Sequence, residues 1–377
     1  MLAALHVTLG CNLRCTYCYA GTKVNKSMTT ETVRQAVDWI AKSGDAENVV
    51  TLFGGDPLMR FDLVKEAVEH AKTHANTRFV WRMVTNGTLF TDEMWPFFRA
   101  NDLLFTLSLD GDPIAQDLER KTLDGRGSFE LVVRHVPAML KYNPYTKVNL
   151  VVTPKTADRL AKSVAYVHGL GFRYLDVSPD YGGAWERKSF DALQESLQDL
   201  AKYYLLCHRR GDKFNLNLFD DKIRAYAMGE VHKECTSCDA GRTQFSIAPS
   251  GKIYPCVQFV KDDAPADEKW AIGDLEHGLY AERRRAFLDV GRRKKTECEG
   301  CAFEGRCHNW CVCANWQGTG DPGAPSPFLC EYERMLIPIA DRLGETLWAE
   351  RNPLFISKIY NEAHPLLSLL EDLRAQK

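Results

Sequence analysis

No stretch of the 377 residues approaches the ~20 consecutive apolar residues that a bilayer-spanning helix requires, so nothing in the sequence reads as a membrane span. No export signal precedes the first apolar run, residues 3–9, which reads as a strand. Charge of one sign is not in excess either. Lys and Arg number 48 against 50 Asp and Glu, a net charge of −2, which gives no whole-chain reason to expect a nucleic acid or an acidic membrane as partner. At 45% hydrophobic and 26% charged residues the composition is that of a globular chain, with room for two domains at roughly 150 residues each. What the chain has in excess is cysteine, thirteen in all. Without an export signal, metal binding or catalysis explains them better than disulfides do, and an oxygen-poor cytoplasm is the expected location.

Three of these cysteines fall in Leu9-Gly10-Cys11-Asn12-Leu13-Arg14-Cys15-Thr16-Tyr17-Cys18-Tyr19, directly after the first strand. Thiolates that close together can hold three corners of a [4Fe–4S] cube, because such clusters are held by cysteine. No fourth cysteine lies nearby, so one iron would be open to an outside ligand. A zinc knuckle prefers paired Cys-x-x-Cys units with four closed ligands, and a disulfide would leave one thiol over. The spacing of three and then two residues, with Tyr17 before the third cysteine, resembles the cluster loop of the radical S-adenosylmethionine (SAM) enzymes. The resemblance implies that Cys11, Cys15 and Cys18 hold a catalytic [4Fe–4S] cluster whose open iron chelates SAM.

From the start to about residue 180 the pattern alternates strand and helix. Strands are expected at 3–9, 48–53, 79–85, 103–109, 147–153 and 173–178. Helices are expected from about Thr30 to Gly44 and near 62–74, 92–100, 128–142, 157–170 and 190–210. Six strand–helix units predict a parallel sheet and an α/β fold, a partial (β/α)6 barrel whose function sits at the C-terminal strand ends. The motifs fall there: Gly54-Gly55-Asp56-Pro57, Thr85-Asn86-Gly87-Thr88 and Ser108-Leu109-Asp110-Gly111. Each read singly is a turn. Together, downstream of the cluster loop, they resemble the SAM-binding elements of the radical family, which implies cofactor-binding roles for Tyr17, Gly54, Gly55, Asp56, Asn86 and Ser108. The family usually has Glu where Asp56 stands. Arg120 is a candidate for the SAM carboxylate, with a solvated surface arginine as the competing reading.

The second half carries Cys235, Cys238, Gly251 with Cys256, then Cys298, Cys301, Cys307, Cys311, Cys313 and Cys330. A pair of zinc ribbons has similar spacing. A glycine five residues before Cys256, then Cys-x2-Cys-x5-Cys-x3-Cys and a distant last cysteine, resembles the SPASM extension of radical SAM enzymes. That resemblance implies two auxiliary [4Fe–4S] clusters, one on Cys235, Cys238, Cys256 and Cys311, the other on Cys298, Cys301, Cys307 and Cys330, with Cys313 left over. The expected organisation is a radical SAM partial barrel at 1–213, a bridging segment at 214–234, the SPASM domain at 235–334 and C-terminal helices at 335–377. Residues 245–247 and 253–254 read as a hairpin, 261–269 as a surface loop, and the basic runs 283–285 and 292–295 as solvated faces.

The implied chemistry is reductive cleavage of SAM to a 5′-deoxyadenosyl radical, which removes hydrogen from an unactivated C–H bond. SPASM proteins mostly modify ribosomally made peptides or proteins. Sulfatase maturases of that family have Asp after the cysteine that matches Cys256, and here the residue is Val257. The expected product is therefore a thioether or carbon–carbon side-chain cross-link in a peptide. The alternatives are a small-metabolite radical SAM enzyme, a formylglycine-forming maturase, and a non-enzymatic zinc protein. Expected partners are a precursor peptide or protein and a low-potential electron donor such as flavodoxin or ferredoxin. Leader recognition would fall to the chain's own surface or to a separate leader-binding protein, since no room is left before the cluster loop for a recognition domain.

Overall fold

The computed structural model describes residues 1–229 and 238–375. Its framework is a run of parallel strands: β1 (Leu2–Thr8), β3 (Glu47–Gly54), β4 (Arg78–Thr85), β5 (Leu104–Ser108), β7 (Lys147–Val152) and β8 (Tyr174–Pro179), hydrogen-bonded in that order. Two short strands, β2 (Leu13–Cys15) and β6 (Arg120–Thr122), pair with each other outside it. Helices α1 (Thr30–Ser43), α2 (Phe61–Ala71), α3 (Met94–Ala100) and α7 (Leu160–Gly169) return the chain between strands, and short α4 (Pro113–Glu119) follows β5. All six expected strands are present, with ends moved by one residue.

Alternation along the strands explains the layers. Leu5 and Val7 of β1, with Val50 and Leu52 of β3, share one buried cluster with Val33, Val37 and Ile40 of α1 and Val64 and Val68 of α2. α1 begins where the Thr29 hydroxyl accepts from the Thr32 amide at 3.0 Å, and it stops at Gly44, whose amide bonds back to Ile40. The segment expected as one helix over 128–142 is two, α5 (Phe129–Val133) and α6 (Val136–Tyr142). Pro137 is the cause: proline has no amide to donate and clashes with the preceding turn, so it sits in the first turn of a new helix. α8 (Arg187–Arg210) ends at Gly211 in the left-handed conformation, φ 77°.

After α8 the chain adds β9 (Asn215–Leu216), parallel to β8, and α9 (Asn217–Ala227). On the other edge, β10 (Gln244–Ile247) pairs parallel to β1, followed antiparallel by β11 (Lys252–Tyr254), β12 (Gly273–Asp274) and β13 (Gly278–Leu279). The cysteine-rich half therefore continues the barrel sheet from the β1 side. The β10–β11 hairpin turns through Pro249-Ser250-Gly251, with Gly251 at φ 81°. The remaining helices are α10 (Ala281–Gly291), α11 (Val312–Thr319), α12 (Pro327–Ala349), α13 (Pro353–Tyr360) and α14 (His364–Ala375). A buried ion pair, Lys222 Nζ to Glu333 Oε2 at 2.7 Å, ties α9 to α12.

Two surface expectations need correction. Residues 261–269 are not a free loop: Asp263 is buried and accepts from Ser250 and Lys26, and a short 3-10 helix spans Pro265–Trp270. Within the basic runs, Arg284 is half-buried and donates to the carbonyls of Gly241 and Arg242, and Lys295 is buried. Bonding beside the start of β10 takes Arg284 out of the solvated face, and burial takes Lys295 out of it.

Candidate functional site

The cluster loop leaves β1 at Thr8 and is gripped on both sides. On one side β2 pairs with β6, which sets Cys15 opposite Arg120. On the other, the amides of Gly55 and Asp56 donate to the carbonyls of Thr8 and Gly10 at 2.8 and 2.9 Å. A Cβ on Gly55 would lie 2.0 Å from the Gly10 oxygen, and one on Gly54 1.9 Å from the Thr8 oxygen. Only glycine admits so close an approach, and what approaches is the cluster loop itself.

Cys11, Cys15 and Cys18 are brought together, each thiol within electrostatic range of the others. Burial, and the Asp56 carboxylate next, push the Cys11 thiol up. Burial pushes Cys15 up to about 11, although Arg120 pulls the other way. Three thiols crowded on one loop, Cys11 buried and the other two half-buried, are a donor set that suits a metal cluster. Asn86 at the end of β4 points its amide at Cys11 Sγ, 3.7 Å away, and at Asn12 Oδ1, 2.9 Å. Donors of this kind to ligating sulfur tune a cluster.

Asp56 is fully buried and takes its hydrogen bonds from protein: the Leu58 amide at 3.0 Å, the Thr85 hydroxyl at 2.9 Å and the Asn86 amide at 2.7 Å. It fastens the end of β3 to the end of β4. Burial raises its carboxyl to about 6, despite the amides of Asn86 and Leu58. Arg120 is not a solvated arginine, since it is only 7% exposed. Its guanidinium bonds both oxygens of Asp110, at 2.9 and 3.1 Å, and reaches Cys15 Sγ at 3.8 Å. It also lies 5.4 Å from the centre of the Tyr17 ring, and the Tyr17 hydroxyl bonds Asp110 as well. Burial works against the Arg120 charge, but Asp110 outweighs it and the guanidinium is held more firmly protonated than usual. Ser108 is half-buried at the end of β5.

Several residues at this site were given no role by the sequence. Asp110 anchors Tyr17 and Arg120, and its Oδ1 also accepts from the Val151 amide. Asn12 donates to Thr88 at 2.7 Å. Glu119 is buried, accepts from Thr153 at 2.9 Å and is bonded by the Thr16 hydroxyl. Beside Tyr17 a cleft of about 690 Å³ opens, lined by Glu119, Thr153, Lys155, Asp180, Glu186 and Lys188 among others. Tyr19 is buried within electrostatic range of Cys18, Cys256 and Cys313.

The second cysteine set gathers in two places. Cys238 neighbours Cys256 and Cys311. Cys330 neighbours Cys298 and Cys301, and Cys307 neighbours Cys298. Asn309 donates to Cys298 Sγ at 3.2 Å. Cys235 lies outside the described residues.

A parallel partial barrel with three crowded thiols at its C-terminal rim, continued into a cysteine-rich half, is the architecture of an iron–sulfur enzyme. Residues 5–167 match the model of the Radical SAM superfamily; the chain is an enzyme with a radical SAM domain there and is similar to sulfatase maturases and peptide-modifying enzymes. It is 26% identical over 328 residues to the cysteine-type anaerobic sulfatase-maturating enzyme of Clostridium perfringens (strain 13 / Type A), covering 80% of this chain and 86% of that one. The solved structure of native anSMEcpe with bound AdoMet and Cp18Cys peptide matches with a TM-score of 0.74 at 21% identity, over 92% of this chain and 99% of that one. Streptococcus suis SuiB bound to precursor peptide SuiA matches with a TM-score of 0.61 at 15% identity, over 87% of this chain and 75% of that one. The α/β barrel fold with a SPASM-like region is thereby established for this chain.

Proposed function

We propose that this enzyme matures a ribosomally made peptide by forming a side-chain cross-link, a thioether or a carbon–carbon bond, after hydrogen abstraction. The observation that carries the choice is Val257. The residue after Cys256 is apolar, begins the turn Val257–Phe259 and packs half-buried on the core, so no carboxylate stands where formylglycine-forming relatives keep one. The peptide-bound states of anSMEcpe and SuiB support a peptide substrate. Formylglycine formation is the second reading, favoured by the name of the Clostridium relative.

Cys11, Cys15 and Cys18 would hold the catalytic cluster, which with bound SAM supplies a 5′-deoxyadenosyl radical able to take hydrogen from carbon. The chain's own residues do the rest. Gly54 and Gly55 let the loop close on β3, Asn86 donates toward Cys11, and Arg120 with Tyr17 and Asp110 braces Cys15. Ser108, half-buried at the end of β5, is the group left to meet SAM. The cleft beside Tyr17 offers both carboxylates and lysines to a peptide backbone. Two auxiliary clusters in the cysteine-rich half, on the sets that the SPASM resemblance implies, would bring the total to three. The division at 213, 234 and 334, a flavodoxin or ferredoxin donor and a cytoplasmic location belong to the same reading.

The deciding experiment gives the anaerobically reconstituted enzyme, SAM and a reductant two kinds of peptide: short peptides encoded beside its gene, and a sulfatase-derived peptide with a reactive Cys. Loss of two hydrogens with a cross-link by tandem mass spectrometry supports the proposal. Conversion of the Cys to an aldehyde, with no cross-link in any neighbouring peptide, would replace it with the second reading.

A further inference from the structure

Away from the cysteines, three metal-ligating side chains converge where the first two helices meet solvent. Asp38 stands on α1, His70 in the last turn of α2, and His74 four residues further along the chain. Nε2 of His70 lies 2.7 Å from Asp38 Oδ1, and Nε2 of His74 lies 2.8 Å from the same oxygen. The three ligand atoms all fall within 4.8 Å of one another. From this convergence we propose that Asp38, His70 and His74 bind a divalent transition cation of the zinc type, which staples α1 to α2. The site shares no residue with the cysteine centres, and it stands whether or not they hold iron.

The residue types are those that such an ion takes. Imidazole suits zinc, nickel and copper, and a carboxylate adds negative charge. Two histidines four positions apart share one side of a helix, the spacing by which a helix offers two ligands to zinc. The turn is kept past the end of α2, because the amides of Thr73 and His74 bond the carbonyls of His70 and Ala71 at 3.0 and 3.1 Å. Both rings are therefore carried on fixed backbone, 5.8 Å apart between centres and nearly perpendicular. Four residues back along both helices, Arg34 and Glu66 pair at 2.6 Å, which holds the same seam together and sets the spacing of the site. Ligands about 2.0–2.2 Å from one ion stand roughly 2.9–3.4 Å apart, so the trio need open by only about half an ångström. The side chains of His70 and His74 are 20% and 27% exposed, and that of Asp38 52%, so the ion enters from solvent and water completes its coordination. The competing reading is a hydrogen-bonded trio in which both rings donate Nε2–H to Asp38. The two readings part on what the trio does with added metal.

The test uses the full chain, anaerobically reconstituted and freed of loose metal on a desalting column. It is given Zn²⁺ in slight excess and desalted again, and zinc and iron are counted in the same fractions. Wild type should gain a single zinc ion per chain with its iron unchanged. The double variant His70→Ala with His74→Ala should gain none and keep the same iron. Asp38→Asn, which keeps the shape and loses the charge, should bind zinc more than about tenfold more weakly, since even partners outside the ligand shell cost about that much. The denaturant midpoint should rise on adding zinc in wild type, as it does for any ligand of the folded state, and stay fixed in the double variant. Equal zinc uptake by wild type and the double variant would overturn the proposal. So would a wild type that gains no zinc, or one that gains it only as iron is lost.

Discussion

Gly55→Ala tests the claim that the glycine pair serves the cluster loop before it serves any ligand. The added Cβ would sit 2.0 Å from the Gly10 oxygen and 2.6 Å from the Leu9 oxygen, where ordinary contact begins at 3.4 Å. Both obstacles are backbone, so no side chain can rotate away, and the loop must retreat by more than an ångström. That movement breaks the bonds from the Gly55 and Asp56 amides to Thr8 and Gly10. At ~1 kcal/mol for each bond and ~1–3 kcal/mol for the steric strain, the variant should lose about 3–5 kcal/mol. The assay combines iron and sulfide analysis, a SAM binding isotherm and the denaturant midpoint, all anaerobic. The catalytic cluster, about four irons, should be lost together with SAM binding. Gly169→Ala is the control: nothing lies within 4 Å of its Cβ position at the end of α7, and the change should be neutral or stabilising by up to ~1 kcal/mol. A Gly55→Ala enzyme with full iron, unchanged SAM affinity and an unchanged midpoint would refute the steric argument. Loss of SAM affinity alone, with the cluster intact, would mean that the glycine serves the ligand only.

Arg120→Gln should destabilise by ~3–5 kcal/mol, because it leaves the buried Asp110 carboxylate without its cation; a denaturant midpoint within experimental error of wild type would contradict the pairing. His6, in β1, is buried with both ring nitrogens unpartnered, and burial lowers its pKa to about 3 from 6.5. A depressed folded pKa contributes stability that is present above the unfolded value and lost as pH falls toward the folded one. At pH 5 wild type should therefore have lost ~2 kcal/mol that His6→Leu keeps, so their difference in unfolding free energy should widen by that amount between pH 7.5 and pH 5, and a constant difference would rule the effect out.

The strands were legible because a period of two survives in residues such as Val50, Leu52, Val148 and Leu150, which face the helices and must be apolar. The catalytic loop was legible because cluster ligation needs a fixed residue type at a fixed spacing. The roles of Asp110 and Glu119 were not, since neither the strand-end motif around Asp110 nor a lone Glu119 reveals a carboxylate that will be buried under Tyr17 or Thr16. Arg120 could be read either way until β2 paired with β6 and set it opposite Cys15. The break between α5 and α6 was written in Pro137 and hidden by the apolar residues on both sides. α13, inside the helical tail expected at 335–377, was not set apart from its neighbours because Pro353–Tyr360 is short, and a periodicity of 3.6 has little length there to show itself.

The stretch that follows Cys256 also holds the chain that follows Cys18, and this contact links the two cysteine centres. Asp263 adopts a left-handed backbone, φ 51°, and is buried. Its carboxylate accepts from the Ser250 amide at 2.9 Å and the Ser250 hydroxyl at 2.6 Å, and it pairs with Lys26 Nζ at 2.7 Å. Next to it, Asp262 accepts from the Thr22 amide at 2.7 Å. Lys26 and Thr22 belong to the arm leading away from the catalytic loop, and Ser250 to the hairpin that delivers Cys256. Asp263→Ala would leave the Ser250 amide and the Lys26 ammonium without this acceptor. With hydrogen bonds to a charged group worth ~1.5–3 kcal/mol, and Lys26 40% exposed so that its share is screened, the loss should be about 2–3 kcal/mol. The functional effect should exceed the stability effect, because the arm would drift from the auxiliary side while Cys11, Cys15 and Cys18 keep their own braces. Iron content should stay at the wild-type level, while the ratio of 5′-deoxyadenosine formed to peptide modified should rise several-fold. A variant that loses stability but keeps the wild-type ratio would show that the Asp263 contact holds the fold without coupling the two centres.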